Sequence, residues 1–165
     1  MGENKHENMP LADALRAGGI FYDIDGATKE DALRSVVAGM SLPPEIDTEF
    51  LVQLLMAREV MGSTGIGGGI AIPHVRDPIV LHVPQPMVAL ALLKTPIDFG
   101  SVDHKPVHTL FVLVSPTMRS HLNLLSRLVY ALRHSGFAES VARREEADVI
   151  LAKAEEVDSQ MGSAG

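Results

Sequence analysis

Cysteine is absent from the 165 residues, which excludes a disulfide framework, a thiolate zinc centre and a cysteine nucleophile. Positive charge is scarce as well: 14 Lys and Arg stand against 21 Asp and Glu, a formal net charge of −7. That balance favours solubility and disfavours non-specific grip on a phosphate backbone, so nucleic acid is a poor candidate partner. Long apolar runs are missing. The longest, Met87 to Leu93, falls far short of the roughly 20 residues that span a bilayer, and the polar first ten residues do not read as a signal peptide. No internal repeat or low-complexity segment is visible. The expectation is a cytoplasmic protein without direct membrane insertion.

What is present suits one globular domain. Apolar residues make up 46% and charged residues 21%, an ordinary balance for a chain of this length with its own core. The domain is expected over residues 10–157, between loose tails at 1–9 and 158–165. Pro10 opens a short helix that Gly18-Gly19 stops, and Ile20 to Asp23 reads as a strand. Thr28 with Asp31 resembles a capping box before a helix carrying Leu33, Val36, Val37 and Met40. Pro43-Pro44 breaks that helix, and Asp47 can cap the next.

Three apolar runs follow: Ile70 to Ile72, Met87 to Leu93 and Val107 to Val114. The last two lack clean alternation, as strands covered on both faces do, so the fold class is α/β in layers rather than a sandwich. Helical spacing returns with Leu122, Leu125, Leu128, Val129 and Leu132, and again over Ala138 to Val157 with a break near Arg143 to Glu146.

Several residues depart from this packing logic. Arg58 takes the place of an aliphatic residue on the stripe Leu51, Leu54, Leu55, Arg58, Met61. It can snorkel outward, pair with Asp98 or Asp103, or point its guanidinium fork at phosphate oxygens. The stretch after it, Gly62-Ser63-Thr64-Gly65-Ile66-Gly67-Gly68-Gly69, has five glycines in eight residues and permits close backbone approach to a ligand, with Thr64 adding a hydroxyl. No Lys follows as a P-loop requires, and the dinucleotide spacing fails because Ile70 holds its last glycine position.

Pro73 should end the strand Ile70 to Ile72 and leave His74 at its carboxyl end, where open α/β sheets place their sites. His121 shares a helical face with Leu124, Leu125 and Leu128 near a helix start, where a neutral imidazole and an anion are both favoured. Each histidine can instead be a satisfied core residue. His6, His82, His104, His108 and His134 lie in the amino-terminal tail, in loops or at a strand start, and none has metal-ligand spacing. Gly62-Ser63-Thr64-Gly65 does not have nucleophile-elbow spacing.

The block from Arg58-Glu59 through Gly62-Ser63-Thr64-Gly65-Ile66-Gly67 to Ala71-Ile72-Pro73-His74 resembles enzyme IIA of the bacterial phosphoenolpyruvate-dependent phosphotransferase system. The class is the fructose, mannitol and nitrogen-regulatory one, and the block is most similar to its nitrogen-regulatory branch. The similarity continues through Pro96-Ile97-Asp98-Phe99, Asp103, Val107 to Pro116 and His121-Leu122, covering about residues 10–152. Val75 stands where the family commonly has alanine, and His104 where glycine is usual.

The resemblance implies a mixed β-sheet flanked by helices on both faces, and a phosphohistidine carrier that receives phosphate from an HPr-type phosphocarrier and passes it to a IIB-type acceptor. No cofactor and no metal is implied. His74 matches the phosphorylated histidine, His121 the second active-site histidine and Arg58 the active-site arginine, with Thr64 and Gly65 in the loop expected to bind phosphate. Ile66, Ile70 and Val75 flank this site in sequence and are candidate partner contacts. A regulatory module that uses phosphorylation only to switch target proteins is the alternative, and a metal-dependent hydrolase using His74 and His121 is a third, weaker one.

Overall fold

The computed structural model describes residues 7–164. Five strands form one mixed sheet in the order β1-β4-β5-β3-β2: β1 (Ile20–Ile24), β2 (Gly65–Gly67), β3 (Ile70–Ala71), β4 (Met87–Ile97) and β5 (Val107–Val114). The β1–β4 and β3–β5 pairs are parallel, whereas β4–β5 and β2–β3 are antiparallel.

Side-chain alternation along β4 explains its continuous apolar sequence. Met87, Ala89, Ala91 and Leu93 enter one core with α2 (Lys29–Gly39) and α3 (Thr48–Val60). Val88, Leu90 and Leu92 enter the other, with α1 (Leu11–Gly18), α4 (Met118–Leu132), α5 (Ser135–Ala142) and α6 (Ala147–Ala164). Both faces of the sheet are therefore covered, as the run without alternation predicts. Truncating a fully buried leucine such as Leu90 to alanine should cost about 2–5 kcal/mol.

The helix starts follow local chemistry. Thr28 accepts from the Asp31 amide, and Asp47 accepts from the Glu49 and Phe50 amides. Thr117 and Ser120 form a reciprocal capping box at α4. The break near Arg143 separates α5 from α6, with Arg144 at φ +52°.

Three elements differ from the sequence expectation. The glycine-rich stretch is not simply a loop, because Gly65–Gly67 pairs with Ile70–Ala71 as a hairpin. The apolar stripe of α3 is rotated: Leu51, Val52, Leu55 and Glu59 are the buried residues, while Met61 is 60% exposed. The expected loose tail at 158–165 is instead helical through Ala164. There the Asp158 carboxylate accepts from the Leu11 and Ala12 amides at 2.8 and 2.9 Å, capping α1 where Pro10 offers no side-chain cap. At the other end, Met9 is already buried, and His6 lies outside the described residues. His104 adopts φ +60°, the left-handed conformation for which glycine is better suited.

Candidate functional site

Pro73 does close the strand. β3 ends at Ala71, and beyond it the Pro73 carbonyl accepts from the Leu113 amide at 2.9 Å, so His74 makes one further parallel bridge to β5. Period-two alternation then decides which way each side chain faces. Ala71 and Val75 join the α2–α3 core, whereas Ile72 joins the α4 side. His74 meets His121, the fourth residue of α4, with ring centroids 5.0 Å apart and planes tilted by 39°.

The same alternation corrects one partner-contact expectation. Val75 is 2% exposed and packs in the α2–α3 core, so it does not reach the surface beside His74. Ile70 is partly buried against the other core. Ile66 alone of the three remains well exposed, at 49%.

A cavity of about 300 Å³ lies beside His74, lined also by Arg58, Ser63, Thr64, Ile66 and Ile72 and by Leu125 and Val129 of α4. Arg58 therefore reaches the space that the glycine-rich stretch surrounds. It pairs with neither Asp98 nor Asp103, whose carboxylates accept backbone amides of Gly100, and of Gly68 and Lys105, respectively. Instead the Arg58 Nη1 donates to the Gly62 carbonyl at 2.7 Å.

The histidine chemistry is set by burial. His74 Nδ1 lies 2.8 Å from the Ile72 carbonyl oxygen, which can only accept, so the ring proton belongs on Nδ1 and the unprotonated lone pair on Nε2. Burial pushes the His74 pKa below its ordinary value and the Arg58 charge adds to that, while the Ile72 carbonyl and Glu59 pull in the opposite direction. His121, 6% exposed, is pushed down to about 4 by burial and by the neighbouring His74. Both imidazoles are neutral near pH 7.

The two residues expected to donate to phosphate have their donors committed elsewhere. Both Thr64 donors go to Glu59: the amide to Oε1 at 3.1 Å, and the hydroxyl to Oε2. The Gly65 amide donates to Ser63 Oγ at 3.0 Å, and that hydroxyl donates to the Phe99 carbonyl at 2.6 Å. The loop is thus folded inward on its own polar partners, which leaves Arg58 as the cationic side chain lining the cavity beside His74.

Sequence reasoning missed Glu59. It is 6% exposed and its carboxylate also receives Lys29 Nζ of α2 at 3.0 Å, with that ammonium 4.5 Å above the Phe99 ring. Its signal was the true stripe Leu51, Val52, Leu55, Glu59, one position away from the stripe that drew attention to Arg58. Among the described residues, no three His, Cys, Asp or Glu side chains gather as a metal site would require, and no helix is long and apolar enough to cross a membrane.

Residues 14–156 match the family model for the phosphoenolpyruvate-dependent sugar phosphotransferase system, EIIA 2. A nitrogen regulatory protein of Pseudomonas aeruginosa is 35% identical over 125 residues, 74% of this chain and 79% of its own length. A fructose-specific EIIA component of Haloferax volcanii is 32% identical over 127 residues, covering 75% and 80%. The crystal structure of the nitrogen regulatory protein IIA-Ntr from Neisseria meningitidis superposes with a TM-score of 0.72 at 28% identity, covering 90% of this chain and 97% of the other. The chain belongs to the EIIA 2 family of the phosphoenolpyruvate-dependent sugar phosphotransferase system.

Proposed function

We propose that this protein is a cytoplasmic phosphohistidine carrier that accepts a phosphoryl group on His74 from an HPr-type phosphocarrier. The observation that carries the reading is the Ile72 carbonyl on His74 Nδ1, which leaves Nε2 as an unprotonated nucleophile at the edge of a cavity shared with Arg58. The Nε2 lone pair attacks phosphorus, and the bond from phosphorus to the donor atom breaks with its electron pair returning to the donor. Nδ1 keeps its proton throughout. Arg58 exchanges the Gly62 carbonyl for the phosphoryl oxygens, and His121 donates to or orients the group from the α4 side. On delivery, an acceptor nucleophile attacks phosphorus and the P–N bond electrons return to Nε2.

Ile66, 49% exposed, and Leu122, 56% exposed, supply apolar contact for the docking partner around a site that must exclude water. The downstream role is regulatory rather than dedicated sugar uptake, with target proteins or a IIB-type acceptor receiving the signal. The block Arg58 to His74 and the two nitrogen-regulatory relatives support that choice. Phosphorylation adds about −1.5 to −2 charge at the docking face, enough to release an acidic or apolar target.

The test is a comparison of wild type, His74→Ala and His74→Asp incubated with phosphoenolpyruvate, enzyme I and HPr-type donors, followed by identification of bound and labelled partners. Partner sets that change with the state of His74 support regulation. Identical sets, with rapid transfer to a sugar-specific IIB protein, would assign the chain to transport.

A further inference from the structure

Glu59 is an ionic group in the core-facing stripe of α3, placed directly behind the loop that borders His74. Its two carboxylate oxygens accept the amide and the hydroxyl of Thr64, and Lys29 crosses from α2 to the same carboxylate. The Glu59 and Lys29 side chains are 2% and 20% exposed, so this is a largely dry pair with a defined geometry rather than a surface contact.

Such a pair is conspicuous beside a site that handles an anion. Thr64 lines the cavity next to His74 and owns two donors that would suit phosphoryl oxygens, yet both are turned to a carboxylate behind it. A carrier must give its phosphoryl group away, and every donor that grips the bound group lowers its tendency to leave. We propose that Glu59 is a positioning residue that keeps the phosphoryl group on His74 easy to transfer, by withholding the Thr64 donors and holding a negative charge behind the histidine. Lys29 offsets that charge and fixes the carboxylate in place.

This inference rests on the carrier reading and makes a signed claim about it. In Glu59→Gln the carboxylate charge is lost, the Thr64 hydroxyl is released toward the cavity, and Lys29 is left as an unbalanced cation. All three changes favour the phosphorylated form. In Lys29→Gln the carboxylate remains and loses its compensation, so the phosphorylated form becomes less favourable. A purely structural pair would instead give losses of the same sign in both variants.

The experiment equilibrates the full chain with an HPr-type phosphocarrier at a fixed ratio of phosphorylated to free donor, and reads the phosphorylated fraction by intact mass. Relative to wild type, Glu59→Gln should shift the equilibrium about tenfold toward the phosphorylated chain and slow release to acceptor, and Lys29→Gln should shift it severalfold the other way. An unchanged or lowered phosphorylated fraction in Glu59→Gln, or shifts of the same sign in both variants, overturns the proposal. Wild type that takes no label on His74 would overturn the carrier reading itself, a distinct result.

Discussion

The imidazoles of His74 and His121 face one another across 5.0 Å between a strand extension and the first turns of α4, and each is held neutral by its surroundings. The cost of protonating His121 in that position makes a prediction about acid stability. Its folded-state value is about 4 against an ordinary 6.5, so the unfolded chain binds the proton more readily as the pH falls between them. The contribution of neutral His121 is therefore fully present above about pH 6.5 and is lost on the way down to about pH 4, a decline of about 3 kcal/mol. His121→Gln should show a shallower loss of stability between pH 7 and pH 4.5 in chemical denaturation, and an unchanged slope would contradict this account.

Among the described residues Arg58 donates to the Gly62 carbonyl alone, through Nη1, and its guanidinium lines the cavity beside His74. Arg58→Ala should fold normally and accept phosphate about 10²–10³ more slowly, because one charge-stabilising donor is removed. Rapid-quench labelling measures it. A wild-type rate would return Arg58 to a loop-anchoring role alone.

Ile66 and Val75 should separate cleanly as docking and core residues. Ile66→Asp leaves a folded protein with a raised KM for the phosphocarrier, since the side chain is half exposed at the cavity rim. Val75→Asp buries a carboxylate in the α2–α3 core and should fail in a thermal melt before any docking effect is seen. Normal KM in a folded Ile66→Asp protein would move the docking surface elsewhere.

Asp158 should matter to stability despite its place near the chain end. Its carboxylate caps α1 and meets Arg127 at 3.4 Å, so Asp158→Ala removes a cap and leaves a mostly buried guanidinium without its acid. The expected loss is about 1–2 kcal/mol by urea denaturation. No change would reduce the contact to a surface ornament.

Strands β1, β3, β4 and β5, the helix caps at Thr28 and Asp47 and the break near Arg143 were legible in the sequence because each depends on neighbours within a few residues, whereas β2 was not, because its glycines carry no apolar pattern. His74 stands out by its place after the strand-ending Pro73 and His121 by its place on an apolar helical face, whereas Arg58 stands out on a stripe that the structure rotates, although it still lines the cavity beside His74. Glu59 and the Asp158 cap were not, since each is defined by a long-range partner: Lys29 from another helix in one case, and the first amides of α1 in the other. Val75 was misread because sequence adjacency to His74 suggests a shared surface, whereas an extended chain sends neighbours to opposite faces. Thr64 and Gly65 were read by residue type, and only the structure reveals that their donors are turned to Glu59 and Ser63.

The most direct test of the account is the chemical position of the phosphoryl group after labelling of the full chain through an HPr-type donor. Proton–nitrogen correlation spectra of the phosphorylated protein should place phosphorus on Nε2 of His74, with Nδ1 still protonated and bonded to the Ile72 carbonyl, and His74→Ala should take no label. Phosphorus on Nδ1 of His74, on His121, or full labelling of His74→Ala would contradict it.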